Sequence, residues 1–181
     1  QIVVEETAQN RLGHILRDTQ RFGRTPPNMP VVSAADGRYP IGNYPLGRTF
    51  FLTGFEEHSR VVEGRWPQSV PTLHNDGVDL EVVVGRRIAS AMSLEVGSQL
   101  YLLPFVTNPS ERIAIKVVGL VEPLDPQEEY WMDRSSTYFN GLELGEQFLA
   151  SFYVPEASFF GGLGIRYPSL VANYGWFLFL D

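Results

Sequence analysis

The chain has 181 residues, 44% of them hydrophobic and 19% charged, which is enough to fill one generous domain or two small lobes and excludes an intrinsically disordered protein. Its net charge of −7 argues against a phosphate-backbone partner, because nucleic-acid binding needs a dense cationic footprint. The absence of cysteine removes thiolate metal sites, cysteine nucleophiles and disulfide staples together.

Taken in order, "QIVVEE" reads as a short strand. The spacing of Ala8, Leu12, Ile15, Leu16 and Thr19 predicts an amphipathic helix over 7–22, with Thr7 as its cap. "GRTPPNMP" breaks regular structure, "VVSAA" is a strand, and "DGRYPIGNYPLGR" is a loop with Gly/Pro turn chemistry. "TFFLTGF" has the unbroken apolar character of a buried strand; "VVEGRWP" and a second loop, "PQSVPTLHNDGVD", then lead into the strand "LEVVVG".

From there the elements shorten. A helix runs from Arg86 to about Met92 with Ile88, Ala89 and Met92 inward, and Gly97 closes the connection. "SQLYLLPFV" and "RIAIKVVGLVE", joined by "TNPSE", alternate as two long strands of a small antiparallel sheet or barrel. "DPQEEYWMDRSSTYFNGLELGE" reads as a helical turn followed by loop, and "QFLASFYVP" as a strand. "EASFFGGLGIRYPSL" is a short helix that dissolves at its glycines, and "GWFLFL" is the last strand. The expected class is α+β with two lobes: an α/β lobe and a small antiparallel, barrel-like β-rich lobe over 80–122.

The order of these motifs carries a resemblance. Glu63, Gly64, Arg65 and Trp66 form an "EGR" with a following aromatic; Val82 to Gly85 form a valine-rich strand end, and Ile88 and Ala89 the short helix. Gly97 and Leu100 form a glycine turn into a strand, and Val117, Val118 and Gly119 complete the series. Over Arg60 to Glu122 this resembles the extracytoplasmic core domain of MacB/FtsX-type ABC transporter permeases. Ile88 replaces that family's usual leucine, Ser98 its usual aspartate, and nothing after Pro123 aligns with it.

The resemblance implies a non-enzymatic domain inserted between the first two membrane helices of a permease, on the extracytoplasmic side of the cytoplasmic membrane. Its partners would be the membrane-spanning remainder, a separate ATP-binding subunit or domain, and an extracytoplasmic partner protein or lipid-like cargo. The whole chain, 1–181, is then a fragment of that one domain, and the start on Gln1 fits a piece cut from something larger.

The same residues read without the resemblance give an architectural corner at Glu63–Gly64–Arg65–Trp66, with Arg65 in reach of a carboxylate such as Glu63 or of a carbonyl. Gly85, Ala89, Gly97 and Gly119 are structural in the same sense. His14, His58 and His74 do not recur at metal-ligand spacing, and "HNDGVD" lacks the closing glutamate of a calcium loop. The acids Glu56, Glu57, Asp125, Glu128, Glu129 and Asp133 read as solvated surface. Neither a G-x-S-x-G elbow nor a phosphate loop occurs, so no catalytic residue, metal ligand or cofactor is assigned. Tyr153, Tyr167, Tyr174 and Trp176 are the candidate contacts for a ligand or partner. They also motivate an alternative, a free-standing sugar- or peptide-binding module; a hydrolase built on acidic residues is a third, more distant option.

Overall fold

The computed structural model describes residues 2–33, 44–75, 77–105, 108 and 110–181. Residues 36–43 of the Gly/Pro loop, the end of "VVSAA", Asp76 of "HNDGVD", and Thr107 and Pro109 of "TNPSE" lie outside them. The fold is α+β, with a mixed sheet of 11 strands and short helices.

Six strands close on themselves. β2 (Met29–Ser33) pairs with β3 (Leu46–Leu52) and with β7 (Gln99–Leu102); β7 pairs with β8 (Arg112–Pro123), and β8 with β6 (Gly77–Gly85). β6 continues to β10 (Gln147–Tyr153), which lies parallel against β3 and shuts the ring. Two seams, β6–β8 and β3–β10, are parallel and the other four antiparallel. The strands predicted within 80–122 thus share one barrel with β2, β3 and β10, which come from outside that range.

Alternation along each strand fills the barrel. Val31, Val82, Leu102, Ile115 and Phe152 point inward with almost no exposure. The helix α2 (Arg86–Ala91) follows directly from β6 and delivers Ile88 and Ala89 to one end. The turn after α4 (Glu156–Ser158), a widened helical turn over Phe159–Gly164, brings Phe159 and Leu163 toward the starts of β6 and β8.

A second core lies outside the barrel wall. Phe50, Leu52, Val83, Val121 and Tyr153 face outward and are covered by Phe55, by the 3-10 turn Glu129–Trp131, and by α3 (Ser135–Phe139). Trp131 is the buried centre of this layer, edge-on to Phe55 and Phe139, and its Nε1 donates to the Asp125 carbonyl at 2.8 Å. Such aromatic layers combine large apolar area with directional ring contacts.

Smaller strands decorate the ring: β4 (Ser59–Gly64) pairs with the second half of β8, β5 (Thr72–Leu73) with β6, and β9 (Leu142–Leu144) with β10. Beyond β3 the last addition is a two-stranded ribbon of β1 (Leu16–Arg24) and β11 (Asn173–Leu180), antiparallel from Leu16 opposite Leu180 to Arg24 opposite Asn173.

The amino-terminal expectations are corrected here. The predicted strand at 1–6 is the start of a helix, α1 (Ile2–Leu12), and the predicted helix at 7–22 breaks at Gly13 and continues as β1. β1 has strand partners on both sides over Phe22–Arg24, whereas "IVV" has none among the described residues, so pairing overrides local periodicity. Gln20, predicted to lie on a helix, is instead buried, and its Nε2 donates to the Tyr130 carbonyl at 3.4 Å.

Truncating the centre of the outer core tests this layering. Trp131→Ala is expected to destabilise the fold by about 3–5 kcal/mol, read as a lowered urea midpoint with an unchanged slope.

Candidate functional site

The motif residues meet at one corner. Strand β4 reaches β8 with Gly64 opposite Gly119, where the backbones come so close that a Cβ on Gly64 would strike the Val118 carbonyl and one on Gly119 the Arg65 carbonyl. Gly64 also sits at φ +79°, a conformation that costs any other residue. The Arg65 amide donates to the Val118 carbonyl at 2.9 Å, fixing the chain as it turns away.

That turn aims Arg65 at Glu81 on β6. Its two Nη groups bond the two carboxylate oxygens at 2.7 and 2.5 Å, and the Gln68 amide adds a third hydrogen bond at 2.9 Å. Arg65 also donates to the Trp66 carbonyl at 2.9 Å. The carboxylate is therefore Glu81; Glu63, the nearer in sequence, faces solvent opposite Leu120. The guanidinium of Arg65, with smaller help from the Gln68 amide, holds the Glu81 carboxyl below its ordinary pKa despite partial burial. Trp66 folds back to the outer core, edge-on to Phe55 and Tyr153 at 6.3 Å. Gly85 lies under the Phe139 backbone, Ala89 is buried in the barrel end, and Gly97 at φ +101° turns the chain into β7.

Next to this corner, the outward face of β6, β8 and β7 forms a groove of about 380 Å³. Asp79, Glu81, Gln99, Tyr101 and Lys116 line it, with the 68–72 segment as one wall. Glu81 stands opposite Lys116, and Lys116 opposite Gln99, so a carboxylate, an ammonium and an amide follow one another across the strands of the floor. Arg112 covers the Tyr101 ring at 4.5 Å, and His74 approaches Asp79 at 2.9 Å.

The four candidate aromatics are not brought together. Tyr153 is 6% exposed in the outer core, stacked on Phe55 at 4.2 Å, with its hydroxyl donating to Glu56. Tyr167 is 2% exposed in the barrel core and donates to the Arg112 carbonyl at 2.6 Å. Tyr174 and Trp176 pair edge-on at 4.9 Å on β11, where Trp176 donates to Glu5 of α1. His58 stacks on Tyr130 at 3.7 Å and meets Glu128 at 2.8 Å. Among the described residues no three of His, Asp and Glu converge as metal ligands.

The β1–β11 ribbon is the other feature that bears on function. The Asp181 amide donates to the Ile15 carbonyl at 2.9 Å, so the polypeptide enters β1 and leaves β11 at one place. Leu178 and Leu180 are exposed apolar side chains on β11 beside this point. Among the described residues no helix is long and apolar enough to cross a membrane.

No family model and no curated protein matches the chain. Among solved structures it is similar to a domain of a protein described as a permease from Porphyromonas gingivalis, at 11% identity and a TM-score of 0.39, over 95% of this chain and 76% of that one.

Two measurements probe the corner. Gly64→Ala is expected to cost about 1–3 kcal/mol in backbone strain, read by urea denaturation. Because the folded-state pKa of Glu81 is depressed, its pairing contributes stability above the ordinary glutamate value of about 4.3 and loses it as pH falls through the lower folded value. The stability gap between the wild type and Glu81→Gln is therefore expected to be widest near neutrality and to close in acid.

Proposed function

We propose that the chain is a non-enzymatic extracytoplasmic domain of an ABC transporter permease, carried between two membrane-spanning segments of the same polypeptide. The observation that carries this reading is the β1–β11 ribbon. A domain inserted in a longer chain must start and finish at one place, and here the first and last strands are antiparallel neighbours with Leu16 opposite Leu180. Exposed Leu178 and Leu180 make the Leu16–Leu180 end of the ribbon apolar, as suits a position next to a bilayer.

The motif order supports the same reading. The "EGR"-aromatic segment, the valine-rich strand, the short helix, the glycine turn and the final strand occupy β4, β6, α2, the turn before β7, and β8, which are contiguous in the fold. In this role the domain works mechanically. Motion of the membrane segments reaches the barrel through the ribbon, and an ATP-binding subunit or domain elsewhere supplies the energy. Differential contacts to cargo or an extracytoplasmic partner in two states then do the transport work.

The test uses the intact gene product. It is expected to pellet with membranes and resist carbonate extraction, while the isolated 181-residue chain neither binds nor hydrolyses ATP. A soluble product without apolar spans on either side, or ATPase activity in the pure chain, overturns the proposal.

A further inference from the structure

Six arginines of this acidic chain are neutralised on the spot. Arg17, Arg21, Arg60, Arg65, Arg86 and Arg166 each reach a carboxylate. Around the Phe50–Tyr138 stack the pattern reverses. Arg48 lies two residues before Phe50 on β3, on the outer face of the barrel, and is 7% exposed. Its Nε donates to Ser151 Oγ at 3.0 Å, and its two Nη groups have no acceptor among the described residues.

Arg24 stands across from Phe50 on β1 and so shares that face, beside Arg48. Arg134 sits one helical turn before Tyr138, whose ring stacks on Phe50 at 4.6 Å. The outer two guanidiniums rest on a pair of stacked phenyl rings: Arg24 lies over Phe22 at 5.8 Å, Arg134 over Phe177 at 5.5 Å, and the rings are 4.5 Å apart. Neither makes an ion pair with a carboxylate among the described residues.

We propose that Arg24, Arg48 and Arg134, with the Tyr138 hydroxyl, form a binding site for a phosphate-class oxyanion. An unpaired guanidinium held in the wall of a protein is costly, and an anion relieves that cost. A carboxylate needs a single guanidinium fork, whereas three guanidiniums and a phenol match the several acceptor oxygens of a phosphoryl group. The graded exposure fits entry from solvent: Arg48 is buried, Arg24 half-buried and Arg134 exposed.

The electrostatics agree with the geometry. Burial first, and then the positive charges of Arg24 and Arg134, pull the Arg48 pKa down, and no carboxylate among the described residues acts on it. Burial pushes the Tyr138 hydroxyl up while Arg48, Arg134 and Arg24 pull it back, which places that hydroxyl in the field of all three as a donor. The site borders the ribbon, but its argument does not rest on the permease reading: three guanidiniums would bind an oxyanion wherever the ends of the ribbon lead.

The test titrates the 181-residue chain with inorganic phosphate by calorimetry, and separately with phosphatidylcholine vesicles with and without phosphatidylglycerol. Saturable binding is expected to weaken about tenfold in Arg134→Ala and in Arg24→Ala, to be abolished in Arg48→Met, and to stay unchanged in Arg60→Ala. Arginine-dependent binding of free phosphate identifies a soluble phosphate as the ligand. Arginine-dependent binding to phosphatidylglycerol vesicles alone identifies a lipid headgroup. Absence of both, or binding indifferent to Arg24 and Arg134, overturns the proposal. Should Arg48→Met fail to fold, the exposed Arg134 and half-buried Arg24 still decide the matter.

Discussion

The parallel pairing of β10 with β3 is the contact on which the rest of the molecule depends. It joins Leu149–Tyr153 to Leu46–Phe50 and turns an open path of strands into a closed barrel. Because β3 then has neighbours on both edges and cores on both faces, all seven of its residues are buried. Its inward face carries Gly47, against whose Cα the side chains of Leu102, Val31 and Phe152 close in. Its outward face carries Phe50 and Leu52 for the aromatic layer, and Arg48 at that layer's margin. One strand thus divides the chain's apolar residues into two cores and places a cation where the outer one ends.

How far the sequence discloses this follows from the range of each interaction. β3, β6 and β8 are legible because unbroken or alternating apolar residues mark a strand wherever its partners are. α2 is legible because Gly85 ends the strand and the polar pair Arg86–Arg87 is followed by the apolar pair Ile88–Ala89. α1 and β1 are not legible, since β1 is a strand by virtue of β11, some 150 residues away, and of β3 over its last three residues, and no local pattern encodes those pairings. Ring closure is equally remote in sequence. The strands over 80–122 announce a barrel, but the β2, β3 and β10 that complete it belong to distant segments.

The corner and the aromatics teach a finer lesson. Gly64 and Arg65 are readable as architecture, yet the carboxylate that Arg65 meets is Glu81, chosen by the turn at Gly64 rather than by proximity in sequence. Its one sequence signal is the alternation of Asp79 and Glu81 on the outward face of a strand. Tyr153 and Tyr167 look like ligand contacts by residue type, but each spends its ring on a core and its hydroxyl on an internal acceptor. Tyr174 and Trp176 on β11 instead serve the seam between the ribbon and α1.

A net charge of −7 describes the average of the surface and conceals how the charges are sorted. The acids pair with six of the arginines, and three of the others, Arg24, Arg48 and Arg134, collect where β1, β3 and α3 meet. Arg24 belongs to the ribbon, and Arg134 rests on Phe177 of the ribbon, while Arg48 belongs to the barrel wall. Repulsion among these guanidiniums acts across the joint between ribbon and barrel, opposed by the β1–β3 pairing over Phe22–Arg24 and by the Gln20 contact to Tyr130. An oxyanion gripped by all three would convert that repulsion into a tether, so that the stiffness of the joint between ribbon and barrel depends on whether the site is filled.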